Sequence, residues 1–273
     1  MIVAQISDLH VKPEGRLAYR FVDTARCLER AVARLVALDP RPNLVIASGD
    51  LTDGGTPAEY ARLRELLAPL PMPYYLAMGN HDVRDALRAA FPDHAYLREG
   101  GAYVHYVVDG GPLRIVVADT TTPGEHGGAL DDERLRWLDA TLATERTRPT
   151  MLVLHHPPFA TGFAGMDALG FRHADRLEAL VRAHPQVERI ACGHMHRPIL
   201  TRWAGTIALT SPSTAHQLTL DLRPGVAETF SLEPPGFALH VWDGAGLISH
   251  FAAVEEAAGP YPFRTGGKLI DVE

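Results

Sequence analysis

Cysteine is scarce in this chain: Cys27 and Cys192 are the only two among 273 residues, and no Cys-x-x-Cys occurs. Thiol redox and thiolate-zinc motifs are therefore not on offer, and both cysteines read as buried thiols, one in a helix and one in a strand. Basic charge is also short, since the net charge is −7. That argues against a sequence-independent grip on a nucleic acid duplex, which needs a basic face. No apolar stretch is long enough to span a bilayer. The chain opens on a strand-like run and lacks the basic and apolar regions of a leader, so the expectation is a cytoplasmic protein with no membrane partner. Internal repeats and low-complexity linkers are absent as well. What the chain does have is 46% hydrophobic and 22% charged residues, ordinary globular composition with enough apolar material for a sizeable core. Residues 1–273 are read as one domain.

Six apolar runs each stop just before a metal-type ligand or a histidine. The run 2–7 leads to Asp8-Leu9-His10, 44–49 to Asp50, and 74–79 to Asn80-His81-Asp82. The run 151–154 leads to His155, 189–193 to His194-Met195-His196, and 206–211 is followed a few residues on by His216. Short runs rich in Val and Ile read as buried parallel strands, and functional groups in such sheets sit past the carboxyl ends of the strands. The pattern therefore places two Asp, one Asn and four His on one rim of one sheet. Mixed oxygen and nitrogen ligands suit two divalent metals better than one.

Strand and helix signals alternate. A helix is expected over 21–38, with Val22, Ala25, Leu28, Val32, Leu35 and Val36 at near-helical spacing and Asp39-Pro40 ending it. Thr56-Pro57-Ala58-Glu59 is a capping box with proline at the first helical position. Strands at 103–108 and 114–118 flank a Gly110-Gly111-Pro112 turn. Helices are expected near 131–145 and 175–183. In the last third, 203–209, 217–222, 237–242 and 247–251 read as short antiparallel strands, with Asp243-Gly244 as a hairpin turn. The whole reads as two sheets face to face, flanked by helices. Two irregular segments, 157–173 and 216–236, each follow a candidate ligand and sit where a cap over the metal rim would sit. Phe159, Phe163, Met166 and Phe171 offer an apolar wall there.

Taken singly, each cluster has an ordinary reading. Asp-x-His can cap a strand end, Asn and Asp are common turn residues, and Asp50 can simply cap the next helix. Chance does not readily set all five clusters at the ends of apolar runs in one chain.

Together, Asp8-Leu9-His10, Gly49-Asp50, Gly79-Asn80-His81-Asp82, His155-His156-Pro157 and Gly193-His194-Met195-His196 resemble the five blocks of the calcineurin-like metallophosphoesterases, in the same order. The set is specific although no single block is. The similarity is to the glycerophosphodiester and class III cyclic-nucleotide phosphodiesterase branch. It continues through Asp119-Thr120, Gly127–Leu130, Leu135–Leu138, Met166-Asp167 and His216-Gln217 and thins after about residue 220.

The resemblance implies a four-layer α/β/β/α sandwich of two mixed sheets flanked by helices. It implies that Asp8, His10, Asp50 and His196 hold one metal and that Asp50, Asn80, His155 and His194 hold a second, with Asp50 bridging. Two divalent ions drawn from Fe, Mn, Co or Zn are expected, and availability often decides which. A hydroxide on the metals, ionised near neutral pH, would attack phosphorus. His81, with Asp50 at the catalytic centre, would bind a phosphate oxygen or protonate the leaving alkoxide. Asn80 and His216 would join it in holding substrate, His156 would support a ligand, and Asp82 would orient His81 or cap a helix. His126, His173 and His184 read as solvated or loop residues. Homo-oligomerisation through the two cap segments is also implied.

The expected activity is hydrolysis of small phosphodiesters such as glycerophosphodiesters. A 3′,5′-cyclic nucleotide phosphodiesterase is the alternative, followed by a phosphomonoesterase or nucleotide pyrophosphatase. A catalytically dead binding scaffold would require lost ligands, and none of the seven is missing.

Overall fold

The computed structural model describes residues 1–109, 111–265 and 268–269, so Gly110 of the expected 110–112 turn lies outside the described residues. The first half alternates strand and helix: β1 (Ile2–Ile6), α1 (Thr24–Ala37), β2 (Leu44–Ala47), α2 (Pro57–Leu67), β3 (Tyr74–Leu76) and α3 (Arg84–Ala90). The middle holds β4 (Tyr106–Val108), β5 (Arg114–Val117), β6 (Gly128–Ala129), α4 (Asp132–Ala143), β7 (Thr150–Val153), α5 (Ala164–Leu169), β8 (Phe171–Arg172), α6 (Ala174–Arg182) and β9 (Val187–Cys192). Then follow β10 (Ile199–Trp203), β11 (Thr206–Thr210), β12 (Gln217–Leu218), β13 (Phe230–Ser231), β14 (Gly236–Trp242) and β15 (Leu247–Ala253).

Local chemistry sets the helix ends. Asp23 and Asp131 accept the amides of Arg26 and Arg134 at the starts of α1 and α4. Both halves of the Thr56/Glu59 capping box form at α2, with Pro57 in the first turn.

Two mixed sheets carry the fold. The first has the order β15-β14-β1-β2-β3 and the second β10-β11-β9-β7-β5-β4. Side-chain alternation assigns their faces. Ile115, Val117, Met151, Val153, Ala191 and Leu209 turn inward to the same core as Ile6, Ile46 and Phe237. Val116, Leu152, Ile190, Cys192 and Ala208 turn outward under Leu135, Leu138, Leu142, Leu177 and Val181 of α4 and α6. Leu28, Leu35, Leu63, Leu67 and Leu87 of α1, α2 and α3 pack with the first sheet. Each such fully buried side chain contributes about 1.5–3 kcal/mol.

This is the expected sandwich, with corrections. The six apolar runs do not line one sheet: those before Asp8, Asp50 and Asn80 are in the first sheet, and those before His155, His194 and His216 are in the second. Strand 203–209 is two strands, and β11 runs parallel to β9. A turn at Ala204 and Gly205, both with positive φ, splits it. Strand 217–222 shortens to β12, whose partner is the two-residue β13. Segment 157–173 is not irregular throughout, since it contains α5 and β8.

Candidate metal centre

The loops after β1, β2, β3, β7 and β9 converge where the two sheets meet. Among the described residues nine non-glycine positions have positive φ, and five of them are Asp8, His10, Asp50, His194 and His196. Left-handed backbone at non-glycine residues is costly and gathers at sites where the surroundings enforce it. Gly79 is needed for close approach: a Cβ there would lie 2.1 Å from the Asp50 amide nitrogen and 2.2 Å from Asp50 Oδ1.

Asp50 is central. Its Oδ2 lies 3.6 Å from His10 Nε2 and 3.3 Å from His155 Nε2, while Oδ1 accepts the His81 amide at 2.9 Å. Asp8 Oδ1 accepts the His194 amide at 2.9 Å and lies 3.5 Å from His196 Nε2. Asn80 Oδ1 is 3.3 Å from His155 Nε2. The sheets are also tied together beneath the site, where Gln5 Nε2 of the first donates to Ser48 Oγ and to the Cys192 carbonyl of the second, each at 2.8 Å.

The outer ring nitrogens are anchored. His155 Nδ1 donates to the Ser48 carbonyl at 2.8 Å, His196 Nδ1 to the His216 carbonyl at 3.1 Å, and His10 Nδ1 to Asp53 Oδ1 at 3.3 Å. In the neutral ring such partners fix the tautomer and put the lone pair on Nε2. Nε2 of His10 and Nε2 of His196 lie 3.0 Å apart, in one group with Asp8 and Asp50 that suits a cation. Asp8 Oδ2 is buried with no hydrogen-bond partner. These features fit divalent metal.

Among the described residues three groups of side chains hold their ligand atoms within 4.8 Å of one another: Asp8, His10, Asp50 and His196; His155, His156 and His194; and His10, Asp53 and His81, which shares His10 with the first. The first is the whole of one expected ligand set. The second joins two expected ligands to His156, whose Nδ1 is engaged by Thr120 Oγ1 at 2.7 Å. Together they make a candidate binuclear divalent centre.

Burial opposes a charge on Asp50, yet His155, His10 and His81 hold its carboxyl well below the usual range. Burial likewise opposes charge on His155, and Asp50 overcomes it, pushing the imidazole up to about 9. Burial dominates at His194 and His196, which are pushed down to about 3 and stay neutral, whereas His155 would give up a proton on binding a metal.

A cavity of about 330 Å³ opens over this centre, lined by His10, Asp50, Asn80, His81, His194, His196 and His216. His81 Nδ1 donates to the Asp53 carbonyl at 2.8 Å. The His216 ring lies 4.5 Å from that of His196, and its Nδ1 is buried without a partner. All nine candidate residues are thus brought together. The apolar wall differs from expectation: Met166, Leu169, Leu218, Tyr19 and Phe230 line the cavity. Phe159 and Phe171 border an adjoining pocket of about 200 Å³, and Phe163 is buried, because α5 turns the aromatic side chains of its flanks away.

The Asp82 side chain is hydrogen-bonded elsewhere than to the His81 ring and does not cap α3. It accepts the amides of Leu51, Thr52 and Gly79 and the hydroxyl of Tyr60, pinning the Asp50 loop to the Asn80 turn. His184 is buried against Asp139 at 2.8 Å, not solvated. Asp53, which also pairs with Lys12, had only its place in Asp50-Leu51-Thr52-Asp53 to mark it. His126 lies 3.4 Å from Asn80 Nδ2 and borders the cavity, with no local pattern to signal it.

The calcineurin-like phosphoesterase pattern matches residues 1–198. A probable glycerophosphodiester phosphodiesterase of Arcobacter nitrofigilis is 38% identical over 274 residues, covering 99% of this chain and 100% of that protein. A 3′,5′-cyclic adenosine monophosphate phosphodiesterase of Pseudomonas aeruginosa is 30% identical, covering 98% of this chain and 95% of its own. In fold, a dimetal phosphatase from Danio rerio superposes with a TM-score of 0.69 at 15% identity, covering 94% of this chain and 97% of the other.

Proposed function

Because the chain belongs to the calcineurin-like phosphoesterase family, we propose that this metal-dependent hydrolase cleaves small phosphodiesters such as glycerophosphodiesters. In this reading Asp8, His10, Asp50 and His196 hold the first ion, and Asp50, Asn80, His155 and His194 the second. The observation that carries it is Asp50 Oδ2, set 3.6 Å from His10 Nε2 and 3.3 Å from His155 Nε2, where one carboxylate oxygen serves both ligand sets. The paired ions, when bound, supply charge neutralisation of the phosphate and ionisation of the attacking water near neutral pH.

The chain's own residues then bind, orient and move protons. His81, anchored through Nδ1 on the Asp53 carbonyl, presents Nε2 to the cavity. In its protonated form it can donate to a phosphate oxygen or to the leaving alkoxide. Burial and the neighbouring His196 and His10 push His216 down to about 3, so it acts as a neutral hydrogen-bond partner. Met166, Leu169, Leu218 and Phe230 give a second ester group an apolar surface that a monoester cannot use. Residues 1–273 work as one unit, with 157–173 and 216–236 as its cap. Exposed Leu220, Leu222 and Leu232 on the cap support a homo-oligomer, and the two free cysteines suit the cytoplasm.

The similarity to the Pseudomonas aeruginosa enzyme favours a second reading, 3′,5′-cyclic nucleotides as substrates of the same chemistry. The deciding measurement is kcat/KM of the metal-loaded protein for glycerophosphoethanolamine, cyclic AMP, bis-p-nitrophenyl phosphate and p-nitrophenyl phosphate. Open diesters should lead. Preference for cyclic AMP selects the second reading, and preference for the monoester rejects both.

A further inference from the structure

Outside the cavity, one ion pair joins the loops of the two sheets behind the second ligand set. Arg84 opens α3, shortly after Asn80 in the chain that leaves β3 of the first sheet. Asp119 follows β5 of the second sheet, and its carboxylate is fully buried. Arg84 Nε donates to Asp119 Oδ2 at 2.7 Å and Nη2 to Oδ1 at 3.0 Å. Nη2 also donates to the Thr121 carbonyl at 2.9 Å and to Thr121 Oγ1 at 2.6 Å. The Tyr103 ring covers the guanidinium, with Cζ 5.4 Å from its centroid. On the other side of the same strand end, Thr120 Oγ1 engages His156 Nδ1 at 2.7 Å, and the Ala118 amide donates to the Val153 carbonyl at 3.0 Å. Residues 118–121 are thus laced to Arg84 on one side and to the strand end that carries His155 on the other.

Asn80 Oδ1 and His155 Nε2 face each other across this seam at 3.3 Å. Asp82 holds the Asn80 turn to the Asp50 loop, on its own side of the seam. The Arg84–Asp119 pair holds the same stretch of chain to the far side. A guanidinium and a carboxylate joined by two parallel hydrogen bonds fix orientation as well as distance. We infer that this pair is a positioning clamp for the second ion: it sets the separation of Asn80 and His155, and through it the affinity of that ion. The inference rests on the ligand sets proposed above. The effect is confined to one ion, because among the described residues no hydrogen bond or ion pair of Arg84 or of the Asp119 carboxylate reaches Asp8, His10 or His196.

The test uses the full chain, freed of metal and titrated with Zn²⁺ against a chromophoric chelator. Asn80→Ala marks which binding step belongs to the second ion. D119N should weaken that step by about tenfold, the lower end of the loss when a group behind a ligand is removed, and leave the other within about twofold. R84K keeps the positive charge beside Asp119 and loses the fork. It should show the same selective loss at about fivefold, and it stands in if D119N does not fold. The double variant R84K/D119N should lose no more than D119N alone, because the two side chains act as one unit. An equal loss at both steps reduces the pair to general support of the fold and overturns the inference. An unchanged second step, or losses that multiply in the double variant, overturn it too. Failure of the ligand sets shows separately, as a wild type that takes up one ion and leaves the clamp nothing to position.

Discussion

Nδ1 of His10 lies 3.3 Å from Oδ1 of Asp53, a carboxylate that belongs to neither expected ligand set. Burial opposes ionisation of Asp53 less than its hydrogen bonds with His10 and Lys12 favour it, which holds its carboxyl far below the ordinary range. Asp53 thus fixes the orientation of His10 and, in the neutral ring, holds the proton on Nδ1. Asp53→Asn should weaken the first metal by about 10–100-fold, the usual cost of losing a carboxylate behind a ligating histidine, and leave the second near its original affinity. Competition titration with a chromophoric chelator separates the two. An equal loss at both sites argues against the assignment.

Metal stoichiometry tests the bridge. The loaded protein should contain about two divalent ions per chain. Asp50→Ala should disturb both, and Asn80→Ala mainly the second. Elemental analysis that finds one tight ion surviving Asp50→Ala would falsify the shared-ligand geometry.

His81 contacts the centre through its amide, donated to Asp50, and its ring, anchored on the Asp53 carbonyl. His81→Ala keeps the amide. Metal content should stay close to normal while turnover drops by about 10²–10⁴. The drop should shrink for leaving groups of low pKa, such as nitrophenolate, if the ring protonates the leaving oxygen. A uniform drop across leaving groups would confine His81 to holding phosphate, and lost metal would make it a support for a ligand.

Far from the centre, His105 supplies a pH dependence of stability. Burial, working against nearby Asp119, pushes it down to about 4, and its Nδ1 accepts the Asp119 amide at 3.0 Å. Unfolded histidine titrates near ~6.5. Between that pH and about 4 the unfolded chain holds a proton that the folded one lacks, so stability falls as pH drops through the window. His105→Asn keeps an acceptor and removes the titration. Its stability curve from denaturant unfolding under chelator should be shallower there, by up to about 1.4 kcal/mol per pH unit. Parallel curves would place the effect elsewhere.

The sequence made the ligand positions legible because each follows a Val- and Ile-rich strand whose end is abrupt, and because the Thr56/Glu59 box marks a helix start by local chemistry alone. It did not show that the strands leading to Asp50 and His155 lie in different sheets. Both are buried on both faces, and that kind of run carries no alternation to say which neighbour it packs on. Asp53 and His126 were hidden because their contacts, with His10 and Asn80, span 43 and 46 residues. Phe159, Phe163 and Phe171 were misplaced because the turn of α5 decides which way they face, and a six-residue helix leaves little periodicity to read.

The loops that close on the centre come from both sheets, β1, β2 and β3 on one side and β7 and β9 on the other. On the proposed ligand set each ion is gripped from both sides of the sandwich, so the cofactor also serves as a clasp between its halves. Stripping the ions should leave lone pairs and carboxylates facing one another across the seam, and that seam becomes the first place for the sandwich to part. Activity and thermal resistance would then be lost to a chelator together, at the same free-metal concentration, as two readings of a single event.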